Sequence, residues 1–259
     1  MRLAVLADIH ANYTALEAVL LDAEKHNVDA YIIAGDHIGD GPQPKEVLNK
    51  IRQLKAWIIA GNREQYVIKY EAGELQDWET HDQMSAMVWT YKCLDKEDIK
   101  YIRQLPEQNV VNIPGTHPIR VVHGSPFDVY EHLYKERYPE RLEKALAAIS
   151  EPVMICGHTH GAWSKRINGK LAINPGSLGI HFNDSVSAEY AILTWDDTEW
   201  KVEHKLVKYD MTKLEKSFAE SGLLKESPVW GKVSLLSIKT GTNIMVDFVK
   251  FAYKMAEEE

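Results

Sequence analysis

A chain of 259 residues with 45% hydrophobic residues can bury a substantial core without extra stapling. A formal net charge of −8 argues against bulk electrostatic attraction to nucleic acid or anionic lipid. The two cysteines, Cys93 and Cys156, stand far apart with no CxxC spacing, as expected of reduced thiols in a cytoplasmic protein. No stretch approaches the roughly eighteen uninterrupted apolar residues of a membrane span, and Asp8 and His10 interrupt the N-terminal apolar run before it reaches signal-peptide length.

In chain order, RLAVLA is an apolar run of strand length that delivers Asp8 and His10 just past its end. Leu16, Val19, Leu20 and Ala23 then recur at helical spacing, with Asn12 placed to cap. AYIIAGD is strand-like, and Gly35 permits a sharp turn at Asp36. Val47, Leu48, Ile51 and Leu54 predict a second helix, after which WIIAGN repeats the strand-then-glycine pattern. Residues 64–104 are expected to be mainly helical, an insertion over the sheet edge that carries Trp78 and Trp89. Strands are predicted at PIRVVHG, PVMICGHTH, KLAINPGS, YAILTW and WKVEHKLV, with RLEKALAAIS as an intervening helix and the last two strands as a hairpin. Alternating strands and helices indicate an α/β domain with parallel pairing, over residues 1–209. From Asp210 the pattern becomes three amphipathic helices, an appendage over 210–259. Its Phe248, Val249, Phe251 and Tyr253 must dock on the domain or on a partner subunit.

Five polar motifs follow apolar strands: Asp8-Ile9-His10, Gly35-Asp36, Gly61-Asn62, His123-Gly124 and Gly157-His158-Thr159-His160. Each alone is weak, because a DxH or GD pair is common and a lone histidine is more often a hydrogen-bonded core residue than a ligand. Their repeated position is specific, since ligands collect at the carboxyl ends of strands in such sheets. Strand alternation would point Asp8 and His10 to one side, able to grip one ion together, and His158 and His160 have the same spacing. The Asp36 carboxylate can bridge two cations, whereas Asn62 offers one neutral carbonyl. Mixed Asp, Asn and His without thiolate favours manganese, iron or zinc.

This ordered set resembles the signature of the calcineurin-like metallophosphoesterase superfamily over about residues 1–200. DIHANYTALEAVL and NPGSLG are further similar to a branch of small bacterial and archaeal phosphoesterases that includes enzymes acting on diadenosine polyphosphates and other nucleotides. The resemblance implies a four-layer αββα sandwich with a C-terminal helical appendage. It implies one ion held by Asp8, His10, Asp36 and His160 and a second by Asp36, Asn62, His123 and His158. Two such ions about 4 Å apart would acidify a bridging water for in-line attack on phosphorus. The expected partner is a small phosphorylated, nucleotide-like substrate, with homodimerisation the preferred assembly.

Asp36, Asn62, Arg63 and His123 are the residues expected at the reacting phosphate. Arg63 departs from the family pattern, since many relatives carry histidine there. A guanidinium can stabilise phosphate charge but cannot donate a proton as an acid; the bland alternative is that Arg63 pairs with Glu64 or another carboxylate. His37 is expected to point away from the metals in a structural role. Asn12 either caps its helix or touches phosphate, and His181 either lines the substrate mouth or is a surface residue. Two other readings compete with small-molecule hydrolysis: a serine/threonine protein phosphatase, which needs an open groove, and a non-catalytic interaction scaffold, which predicts missing ligands.

Overall fold

The structure, a computed structural model, describes residues 1–258. Two five-stranded sheets face each other. The first contains β1 (Arg2–Leu6), β2 (Ala30–Ala34), β3 (Ala56–Ile59), β9 (Ala188–Trp195) and β10 (Trp200–Val207), in the order β10-β9-β1-β2-β3. The second contains β4 (Gln108–Val111), β5 (Ile119–Val122), β6 (Val153–Ile155), β7 (Ala162–Ile167) and β8 (Lys170–Pro175), in the order β4-β5-β6-β8-β7. The pairs β1–β2, β2–β3, β5–β6 and β6–β8 are parallel, whereas β9, β10, β4 and β7 join antiparallel.

Period-two alternation decides which side chains go where. Leu3, Val5, Ile32 and Ala34 point between the sheets and meet Val121, Ile155 and Ile173. Ala4, Leu6 and Ile33 point outward, where α1 (Tyr13–Lys25) and α2 (Pro44–Ile51) cover them with Leu16, Val19, Val47 and Leu48. On the far side, Val122, Met154 and Ala172 pack beneath Leu142 and Leu146 of α6 (Pro139–Ala147). The layers are therefore helix, sheet, sheet, helix, and central strands buried on both faces read as continuous apolar runs.

Residues 62–104 form α3 (Asn62–Glu71), two short 3-10 turns, α4 (Ser85–Cys93) and α5 (Lys96–Gln104). Val67, Met87, Ile99 and Ile102 join the outer face of the first sheet, so this segment extends the helical layer rather than capping only an edge. The edge strands β4 and β7 are absent from the sequence-based reading. QNVV is too short and AWSKRI too charged to stand out, because an edge strand needs little apolar content.

The tail forms α7 (Met211–Glu220), a short α8 (Leu223–Glu226), α9 (Trp230–Thr240) and α10 (Ile244–Glu258). It docks on its own domain: Leu214, Phe218, Leu223, Trp230, Ile238 and Met245 cluster with Ala86 and Trp89 of α4 and with Ile180. Phe248 and Val249 pack against this cluster, Phe251 stays 61% exposed, and the Tyr253 side chain lies outside the described residues. Among the described residues, no helix is long and apolar enough to cross a membrane.

Candidate metal centre

All five motifs converge at the carboxyl ends of β1, β2, β3, β5 and β6, where the two sheets meet. The convergence does not come from strand alternation. β1 ends at Leu6, and Asp8 and His10 lie beyond it with φ of 54° and 47°. Asp36, His158 and His160 likewise adopt φ of 52°, 66° and 59°, a left-handed region uncommon for residues other than glycine. Backbone bonds between neighbouring loops hold this conformation, with the Asp8, His10 and Ala11 N–H groups donating to the carbonyls of Gly35, Asp36 and His37. Such outliers persist only where the surroundings over-determine them, and they concentrate at functional sites. Gly35 is needed for close approach as well as for its φ of 89°, since a Cβ there would stand 2.6 Å from His123 Nδ1.

Asp8, His10 and His160 form one candidate ligand group and Asp36, His123 and His158 another, each with two buried members and one partly exposed histidine, the ligand atoms within each lying within 4.8 Å of one another. His10 Nε2 stands 3.1 Å from His160 Nε2. Two nitrogens on one ion at about 2.1 Å each would be separated by about 3.0–3.5 Å at tetrahedral or octahedral angles, so this spacing suits a shared cation. Asp36 stands between the groups, with Oδ2 3.7 Å from His10 Nε2 and Oδ1 3.4 Å from His123 Nε2. Asn62 Oδ1 lies 3.0 Å from His123 Nε2.

The far ring nitrogens define the tautomers. His123 Nδ1 donates to the Ala34 carbonyl at 2.8 Å, and His160 Nδ1 donates to the Ile180 carbonyl at 2.6 Å. In its neutral form each ring therefore turns an Nε2 lone pair toward carboxylate and carbonyl oxygens, and a cluster of acceptors facing one another is stabilised by a cation. The fit to a pair of divalent ions rests on this donor chemistry. Without a cation the same surroundings favour a proton on His123: burial alone would lower the imidazole, but Asp36, Asp8 and the Ala34 carbonyl outweigh it and push it up to about 9, so a positive charge is favoured here whether a proton or a metal ion carries it. Burial raises the Asp8 carboxyl to about 6. It also favours neutral, ligand-competent forms of His158, lowered to about 3, and of His160. Asp36 goes the other way: burial opposes its charge, yet His123, His10 and Arg63 hold it well below the usual carboxylate range.

Two carboxylates to which the sequence-based reading gave no part in the centre organise it. Glu64, fully buried, accepts backbone N–H bonds from Asp36, His37, Ile38 and Gly61 at 3.0, 2.9, 3.3 and 2.7 Å, tying the ends of β2 and β3 together. His37 is fully buried against it, Nδ1 to Oε1 3.2 Å, in keeping with a structural role. Asp40, also buried, accepts from Trp230 Nε1 at 2.7 Å, pairs with Arg63 Nη2 at 2.8 Å, and lies 3.4 Å from His10 Nδ1. Acidic residues four apart in GDHIGD, and the acid following Asn62-Arg63, were the available signals. Asp40 connects a ligand, the cleft arginine and the tail. Asp40→Asn is expected to lower kcat/KM by about 10–100-fold, the range for groups that orient metal ligands; unchanged kinetics would refute that role.

Arg63 pairs with Asp40 and not with Glu64, and it lines the cleft over the ligands. Asn12 and His181 do not line it. Asn12 is fully buried, caps α1 through Ala15 N–H and donates to the Gly179 carbonyl; His181 is equally buried against the Tyr209 hydroxyl at 2.9 Å.

Two ligand groups of this composition, meeting at strand ends between opposed sheets, define the centre of a metal-dependent phosphoester hydrolase. Residues 1–198 match the calcineurin-like phosphoesterase superfamily domain. An uncharacterized protein of Methanocaldococcus jannaschii is 27% identical over 245 residues, which are 88% of this chain and 94% of that protein. A metallophosphoesterase from Sphaerobacter thermophilus is 26% identical, with a TM-score of 0.73 over 93% of this chain and all of that one. A symmetrical bis(5′-nucleosyl)-tetraphosphatase of Psychromonas ingrahamii is 32% identical over 92 residues, 34% of this chain and 33% of that enzyme. This chain belongs to the calcineurin-like phosphoesterase superfamily.

Proposed function

We propose that the chain hydrolyses phosphoanhydrides and activated phosphodiesters of small nucleotide-like substrates, with manganese or iron as the preferred ions and zinc as the third candidate. The observation that carries this reading is the complete ligand set in a bounded cleft, with arginine at position 63. Asp8, His10, Asp36 and His160 would hold one ion, and Asp36, Asn62, His123 and His158 the other. When bound, such a pair acidifies water for attack and neutralises the phosphate oxygens.

The chain's own groups then decide which bonds break. Arg63, oriented by Asp40, presents donors to a phosphate but no transferable proton. An alkoxide leaving group needs a proton, because the pKa of its conjugate acid is near that of water, about 15.7, whereas a terminal phosphate has a second pKa of about 6. His37 and His181 are fully buried away from the cleft and offer no replacement. The stretch similar to a nucleosyl-tetraphosphatase supports a nucleotide substrate. A protein phosphatase is disfavoured, since α9 and α10 wall the cleft where a polypeptide would lie; a scaffold is disfavoured by the intact ligand set.

With manganese, kcat/KM for diadenosine tetraphosphate or ATP is expected to exceed that for glycerol phosphate by about a hundredfold or more, the usual size of a general-acid contribution. Arg63→His is expected to narrow the gap. Equal efficiency on the alkyl monoester would remove the argument and direct attention to His132, which also lines the cleft.

A further inference from the structure

The cleft above the ligands has a volume of about 320 Å³ and two chemically distinct sides. Arg63 and His160 belong to the polar side. Phe182, Trp230, Val246 and Val249 make most of the other, three of them contributed by the tail helices, which also bring Asn243 and Lys250 to the lining. Apolar surface begins at the ligand set itself, because the His160 ring stacks on Phe182 with centroids 5.1 Å apart and planes within 14°. The wall is preformed: Trp230 is pinned by its N–H bond to Asp40 and by edge contact with Phe248, ring centroids 6.0 Å apart. Val246 remains 44% exposed although it borders this cleft.

We infer that the tail helices form a subsite for one aromatic or compact apolar group bonded directly to the reacting phosphate, such as an aryl or single nucleoside group. The inference rests on the phosphoester-hydrolase reading and adds to it the chemistry of the group next to phosphorus. Apolar surface that begins at His160 favours direct attachment to phosphorus over a long polar spacer, so a nucleotide polyphosphate would be attacked at the phosphate that carries the nucleoside. The volume lies at the lower end of the about 300–1,000 Å³ typical of small-ligand sites, so a second nucleoside of a dinucleotide must lie outside. A rigid wall also avoids the ordering cost that a mobile lid would carry on binding.

The test uses the full chain loaded with manganese and two non-hydrolysable probes, phenylphosphonate and methylphosphonate, titrated calorimetrically. Phenylphosphonate is expected to bind about tenfold tighter or better, the gain from burying one aromatic ring. In Val246→Trp, which fills the cleft from an exposed position and spares the core, that preference is expected to vanish. Equal affinity of the wild-type protein for both probes overturns the subsite and leaves the hydrolase reading standing. A preference that survives in Val246→Trp overturns its location on the tail. Binding of neither probe overturns the subsite together with the reading beneath it.

Discussion

Asp36→Asn is expected to lower kcat/KM by more than about a hundredfold, beyond the range for groups that merely orient ligands, while the protein stays folded. Both carboxylate oxygens are committed: Oδ1 accepts the Arg63 N–H at 2.9 Å and faces His123, and Oδ2 faces His10. An amide substitutes an NH₂ for one oxygen, which cannot ligate a cation and turns a donor toward it. The surroundings also hold Asp36 fully ionised, so the variant removes a whole negative charge from between the two ligand groups. Metal analysis alongside kinetics is the check, with bound metal expected to fall below two ions per chain. Near-normal turnover with both ions retained would refute the placement of Asp36 between them.

Glu64→Ala is expected to cost about 3–5 kcal/mol of folding stability, the usual range for breaking a buried charged network. Four buried N–H groups lose their acceptor at once, and His37 loses its carboxylate partner. Burial would raise the Glu64 carboxyl, yet His37 and the Gly61 N–H hold it below its usual value, so the charged form is the one that organises the loops. Against a total stability of about 5–15 kcal/mol for a typical domain, the loss is large. Urea denaturation monitored by tryptophan fluorescence measures it, and a change under about 1 kcal/mol would show that water replaces the carboxylate. Glu64→Gln keeps one acceptor oxygen and should fall between the two.

The strands and the metal motifs were legible for the same reason. β1 after Arg2, β2 and β6 are largely buried on both faces, so they appear as unbroken apolar runs, and any polar residue that ends such a run stands out against it. β4 and β7 were not legible, since edge strands carry Arg, Lys and Gln without penalty. Asp8 and His10 were recognised as a pair, but by an alternation the chain does not follow, because positive φ leaves no trace in residue type when the residue is not glycine. Asn12 and His181 looked available because sequence shows that a side chain is polar, not that a neighbouring backbone or hydroxyl has already claimed it.

Sequence by itself determined the class of chemistry, since seven candidate ligands in fixed order after apolar strands need only local patterning to be read. Tertiary structure alone decided how those ligands are supported and what they face. Glu64 joins two strand ends, Asp40 reaches a partner 190 positions away, and Trp230 and Val246 reach the cleft only because α7 to α10 fold back onto α4. The physical reason is range. Burial and periodicity act through near neighbours and mark the chain locally, whereas a hydrogen bond or a packed wall between distant segments exists only once the whole chain has closed.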